Sequence, residues 1–251
     1  MENQRSLPIV DHLEELRIRI IVCGVGFIVF FLLSFLFVGD IYQYLIKGID
    51  QKLTILSPGD VLLVNVGIAA ISALVLTIPL LTYQLWKFME PALTEHEKKA
   101  TLAFIPGLFF LFILGLSFSF YIVFPMVMTF LVDMADDQFQ IMYTVNGYFT
   151  FMFRLTVPVA VLFELPAVIM FLTRLGLTKP QQLRKSRKYA YFVLVALSVI
   201  LSPPDLLSDV ILIIPMLLLY EISILLSAWV NRRQIKLELT QMNEEPATST
   251  G

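Results

Sequence analysis

Asp11-His12-Leu13-Glu14-Glu15-Leu16-Arg17-Ile18-Arg19 places three carboxylates, an imidazole and two guanidiniums directly before an apolar run, Ile20 to Val38. Charge in such a place is costly unless it pairs, snorkels or binds something. A carboxylate there offers a two-pronged acceptor to a guanidinium, a geometry that an ammonium does not match. A helix through the stretch puts Ile9, Leu13, Leu16 and Ile20 on one stripe. Glu15 stands four residues before Arg19, within reach of an ion pair along that helix. Two uses stay open. One is a membrane-surface helix that spends its carboxylates on its own arginines, at about 0.3–0.5 kcal/mol per exposed pair. The other is a surface that receives a cation from outside.

Three further places carry chemistry. The segment Trp86-Lys87-Phe88-Met89-Glu90-Pro91-Ala92-Leu93-Thr94-Glu95-His96-Glu97 opens with aromatics suited to a membrane interface. Thr94 and Glu97 fit a capping box that starts the next helix; the alternative for Glu97 is a carboxylate facing the first segment across a groove. Glu164 has no charged residue within nine positions on either side. An ionisable group in such a run marks a functional candidate. Arg154 is ten residues away, about 15 Å along one helix and roughly 80° around it, so direct pairing is poor. Glu164 is therefore protonated, or solvated by a cavity, or met by a polar group from elsewhere. Asp205 follows Ser202-Pro203-Pro204 and reads as a helix cap, with a functional role as the alternative. Nothing points to catalysis. The chain has no Gly-rich phosphate loop and no His-Glu pattern with metal spacing. His12 and His96 flank different apolar runs, and Cys23 is the only cysteine. The expectation is a protein that is not an enzyme and that uses no metal and no cofactor.

The elements that must hold these residues are membrane helices. Apolar residues make up 58% of the 251, with 21 Phe, and charged residues only 15%, a balance no soluble domain of this size needs. The expected fold is an all-α integral membrane protein with six transmembrane helices, at about 18–38, 62–86, 102–124, 147–173, 189–202 and 209–229. Residues 1–231 form one transmembrane domain, and the polar segment 232–251 reads as a flexible cytosolic tail. Met1 to Asp11 carries acids and no small-residue cleavage site follows the first run, so no cleavable signal peptide is expected. Basic residues fix the orientation. Three lie before span one, three in 87–101, six in 174–188 and three after Asn231, fifteen of the eighteen in the chain. Both termini and both charged loops are therefore expected in the cytosol, with connectors 39–61 and 125–146 outside. Spans five and six read as short: Tyr189 to Ser202 is bracketed by Lys188 and Pro203, and span six is interrupted by Pro215 and Glu221. Short neighbouring spans thin the bilayer or are shielded by partners. A net charge of −2 gives no indication of nucleic acid.

These segments together resemble the TatC family, the signal-recognising subunits of twin-arginine protein translocases. The resemblance rests on His12-Leu13-x-Glu15-Leu16-Arg17-x-Arg19, on Tyr83-Gln84-Leu85-Trp86-x-Phe88-x-x-Pro91-Ala92-Leu93-x-x-x-Glu97 and on Phe120-x-x-x-Phe124-Pro125. It continues in Phe163-Glu164-x-Pro166 and Ser202-Pro203-Pro204-Asp205. Each is weak alone; five in order from about residue 8 to 228 are specific. The resemblance implies a receptor for the export of folded proteins, driven by the proton-motive force without a cofactor. It implies that Glu15 and Glu97 read the paired arginines of a signal peptide. Arg17, Phe88 and Leu93 would lie in the same surface, with His12, Leu16 and Arg19 in the same signature segment. Glu164 would face TatA/TatB-type single-span partners. Self-association in a multi-subunit receptor in the cell membrane is also implied. The chain departs from the family where a proline often follows the first span, reading Leu45-Ile46-Lys47-Gly48-Ile49.

A proton-coupled transporter using Glu164 and Asp205 is the competing class. Such transporters tend to show paired repeats with helices broken at matching positions, and the sequence contains no such repeat.

Overall fold

The computed structural model describes residues 9–47, 52–90, 104–135, 142–202 and 206–244, with side chains excepted at 9–12, 104, 206–207 and 233–244. Among the described residues the chain is helical, with one isolated bridge between Thr54 and Thr144. Among the described residues, five helical stretches are long and apolar enough to cross a membrane: Leu13–Leu36, Pro58–Met89, Ile105–Ala135, Val145–Arg174 and Ser208–Arg232. Two compact units divide the chain. The first holds residues 1–110 and 140–153, the second 111–139 and 154–251.

In the first unit, α1 (Ile9–Leu36) packs along α3 (Pro58–Met89), and the short α2 (Val38–Leu45) folds back onto α3. The start of α3 is fixed locally. Pro58 occupies the first turn, the Asp60 carboxylate accepts from the Ser57 N–H at 2.9 Å, and Ser57 Oγ accepts from the Gly59 N–H at 3.4 Å. The two connectors meet through the bridge: the Thr54 N–H donates to the Tyr143 carbonyl at 2.8 Å, and the Val145 N–H to the Thr54 carbonyl at 2.9 Å. Tyr42 stacks on Phe149 nearby, with ring centroids 5.4 Å apart.

The third apolar run extends further than expected. α4 (Phe104–Phe118) passes into a π turn (Ser119–Val123) and continues as α5 (Phe124–Ala135). The connector expected from residue 125 is therefore helical to 135. The Phe124 N–H closes the wide turn on the Ser119 carbonyl, which shifts the hydrogen-bond ladder just before Pro125. The fourth run is broken instead. α6 (Val145–Leu162) ends at a turn, Phe163-Glu164, and α7 (Leu165–Arg174) begins with Pro166 in its first turn. Pro166 has no N–H for the Leu162 carbonyl, so the ladder cannot run through.

In the second unit, α7 ends in a Schellman motif. Gly176, at φ 71°, donates its N–H to the Thr173 carbonyl, and Leu177 donates to the Leu172 carbonyl. Helices α8 (Pro180–Lys185), α9 (Arg187–Leu201) and α10 (Leu206–Glu244) follow, and α10 packs against α7, α8 and α9. α9, where the fifth span was expected, has 15 residues, about 22 Å of helix against a hydrocarbon core of about 30 Å, and is not among the five stretches long enough to cross a membrane. The stretch expected as span six is not short. Pro215 lies inside an unbroken 39-residue helix, and Glu221 is covered by Arg187 and Tyr191 from α9. The same helix runs through Glu244 and so enters segment 232–251.

Gly115 on α4 packs closely against Phe163. A Cβ there would stand 2.6 Å from both Cβ and Cγ of Phe163, whose ring also packs on Phe118 at 5.3 Å. Gly115→Ala is expected to cost about 1–3 kcal/mol by forcing Phe163 aside. A lowered midpoint of thermal unfolding in detergent checks this; an unchanged midpoint would mean that the turn yields freely.

Candidate functional site

The carboxylate of Glu15 is half-buried and lies on the face of α1 that meets the end of α3. Arg19, one turn further, ion-pairs with Glu15 Oε1. The same guanidinium donates to Gln84 Oε1 at 3.3 Å and to the Lys87 carbonyl at 3.2 Å. Arg19 thus ties α1 to the last turns of α3, and its side chain is only 13% exposed. A guanidinium bonded to one carboxylate and two neutral acceptors uses the fork that its planar geometry provides. The result is a carboxylate held in a fixed rotamer at a helix corner. Tyr83 and Trp86 flank the corner with ring centroids 5.9 Å apart, and Phe88 is half-buried beside them in sequence.

Glu14 and Arg17 differ from this pair. They stand 3.5 Å apart with exposures of 62% and 71%, and an ion pair so exposed is worth about 0–1 kcal/mol. Leu16 is exposed as well. Leu93, Glu97 and Asp205 lie outside the described residues, as does the side chain of His12. The structure thus brings Glu15, Arg19 and the Trp86–Phe88 turn together.

Glu164 sits in the turn between α6 and α7. Its N–H donates to the Val161 carbonyl at 3.1 Å, and its carbonyl accepts from Val168 at 2.9 Å. Both carboxyl oxygens are shielded from solvent, and neither has a hydrogen-bond partner among the described residues. An unsatisfied buried polar group costs about 1–3 kcal/mol, so this carboxyl does not serve the stability of the chain in which it lies. The neighbouring Phe163 is clamped by Gly115 and Phe118, which fixes the turn that carries it. Arg154 does not approach Glu164. It donates instead to the Ile200 carbonyl at 2.7 Å, capping the C-terminal end of α9, where a cation is favoured.

Three polar groupings escaped the sequence reading. Arg187 donates to Glu221 Oε2 at 2.6 Å, and Tyr191 Oη donates to Oε1 of the same carboxylate. Ser202 Oγ, at the end of α9, donates to Asp209 in the first turn of α10. Thr173 Oγ1 and Ser227 Oγ share a hydrogen bond of 2.7 Å between α7 and α10. Only the first had a sequence signal: Arg187 just before one apolar run and Glu221 inside the next. With the two ends of α9 bonded to α6 and α10, a helix too short to span alone is held in place. No group of three or more His, Cys, Asp or Glu among the described residues is placed to hold a metal ion.

Comparisons with known proteins agree over most of the chain. Residues 11–215 match the family described as Sec-independent protein translocase protein (TatC). The Sec-independent protein translocase protein TatCd of Bacillus subtilis (strain 168) is 45% identical over 236 residues, covering 94% of this chain and 98% of that protein. The TatC protein of Escherichia coli (strain K12) is 32% identical over 233 residues, covering 90% of each chain. A crystal structure of the twin-arginine translocase receptor TatC superposes with a TM-score of 0.78 at 33% identity, covering 87% of this chain and 99% of that one.

Proposed function

The chain belongs to the TatC family of Sec-independent protein translocase proteins, and from that premise we propose that it is the subunit that reads the twin-arginine signal of exported folded cargo. As a family member it is a multi-pass membrane component of twin-arginine translocation in the cell membrane, works with other Tat subunits and is not an enzyme. In the proposed topology both termini and loops 87–101 and 174–188 face the cytosol, and α9 is the fifth of six spans. The acidic site is formed by Glu15 and Glu97, with Arg17, Phe88 and Leu93 in the same surface. His12, Leu16 and Arg19 support it.

The observation that carries this reading is the fixing of Glu15 by Arg19, which is itself anchored on Gln84 and the Lys87 carbonyl. A signal arginine meets a carboxylate already oriented, which spares part of the ordering cost of binding. Hydrogen bonds to charged groups contribute about 1.5–3 kcal/mol each. Glu164, with no internal partner among the described residues, supplies the contact for a polar group on a TatA/TatB-type helix. Recruitment of that helix, with self-association of the receptor, precedes transport driven by the proton-motive force. No cofactor takes part.

Site-specific photocrosslinking of a twin-arginine peptide to positions across 11–19 and 86–97 tests the assignment. Adducts concentrated at 15, 19 and 86–97 are expected. Adducts spread evenly over all exposed positions, or confined to the remaining loops, would remove the site from this corner.

A further inference from the structure

The sequence from 174 to 188 holds six basic residues and no acidic one. Only part of this charge is used internally. Arg187 turns to Glu221, and Arg174 has an interaction of its own. Among the described residues no carboxylate lies within 4 Å of Lys179, Arg184, Lys185 or Lys188. These cations stand on a braced platform. Pro180 is buried, α8 packs on α10, and Tyr220 Oη donates to the Leu183 carbonyl at 3.0 Å. Arg184, Lys185 and Lys188 face outward from it.

The apolar surface next to them is equally open. Lys188 Nζ lies 4.9 Å from the centroid of the Tyr189 ring. Tyr189 is 65% exposed, and Phe192 and Val193, three and four residues on, are 74% and 60% exposed. Residues at this spacing share one helix face. Three unpaired cations thus border an exposed aromatic and aliphatic strip at the start of a membrane helix.

We propose that Arg184, Lys185 and Lys188, with the Tyr189–Phe192–Val193 face, form a binding site for one anionic phospholipid, phosphate on the cations and acyl chain along α9. Charge complementarity selects the headgroup, and the open apolar face selects a lipid over an acidic protein segment. Clusters of four to eight basic residues beside a membrane helix draw anionic lipid in this way. The inference rests on the proposed topology for α9 as a span and for which leaflet supplies the lipid. It is independent of the signal site.

The test is native mass spectrometry of the full chain in detergent, titrated with palmitoyl-oleoyl phosphatidylglycerol or with the phosphatidylcholine of the same chains. The unaltered protein should retain phosphatidylglycerol preferentially. The triple variant R184Q/K185Q/K188Q should lose that preference by about a hundredfold, at roughly fivefold per cation. The charge-preserving R184K/K185R/K188R should keep it. Preference surviving in the triple glutamine variant overturns the proposal, as does glycerol 3-phosphate binding as tightly as the lipid. Twin-arginine peptide crosslinking on the same variants should be unchanged, so a failed lipid site and a failed signal site give different results.

Discussion

Glu15→Lys, and separately Glu97→Lys, are expected to abolish crosslinking of a twin-arginine peptide while the purified chain keeps its helical content. Two carboxylates at about 1.5–3 kcal/mol each account for about 3–6 kcal/mol of recognition, or roughly a hundredfold to ten-thousandfold in affinity. Reversal does more than remove an acceptor. A lysine at 15 would stand one turn from Arg19 on the same helix face, where like charges repel. Arg19 would retain Gln84 and the Lys87 carbonyl, so α1 should stay docked on α3. The control is Glu14→Lys. Glu14 is the neighbouring carboxylate, but it is 62% exposed and, among the described residues, paired with a similarly open Arg17. Its reversal should change peptide binding less than about fivefold, in line with the small worth of exposed pairs. Wild-type crosslinking in Glu15→Lys, or damage from Glu14→Lys equal to that from Glu15→Lys, would sink the assignment.

The contrast between Glu14 and Glu15 also shows what a sequence can and cannot supply. Both carboxylates were visible, and so was the i,i+4 spacing of Glu15 and Arg19. What separates them is which face of α1 meets α3, a tertiary fact. Long apolar runs gave the helices because burial in lipid leaves the backbone few other solutions. The short α9 was legible for a similar reason: Lys188 and Pro203 bracket it. Local rules failed where neighbours supplied compensation. The third run was expected to end before residue 125 and Pro215 was read as an interruption, yet a π turn leads into a helix through Pro125 to Ala135 and an unbroken helix carries Pro215. Glu221 looked like the end of an apolar stretch because its partners, Arg187 and Tyr191, lie 34 and 30 residues away. Arg154 had no legible partner at all, since its acceptor is a backbone carbonyl.

Glu164→Leu is expected to leave the chain as stable as before, or more stable, and to abolish export of a twin-arginine cargo. The two halves of this result are tied by one observation. Both carboxyl oxygens are buried without a partner among the described residues, so replacing the group with an apolar one of similar size removes a penalty of about 1–3 kcal/mol. A carboxyl kept only for folding would behave in the opposite way, because its loss would break a bond on which the fold depends. Glu164→Gln separates recognition from titration. An amide still donates and accepts, so it should keep a measurable part of the association with a TatA/TatB-type helix, whereas leucine should keep none. Disulfide formation between a cysteine beside position 164 and one in the single-span partner reads that association directly. Export at the wild-type rate in Glu164→Leu would reduce this chain to a passive scaffold at that position. Unfolding of the leucine variant would make the carboxyl structural. Loss of small-solute uptake in vesicles, with export intact, would move Glu164 to the transporter class. The expected combination, a stable chain that no longer captures its partner helix, fits only a carboxyl whose missing hydrogen bond is supplied by another protein.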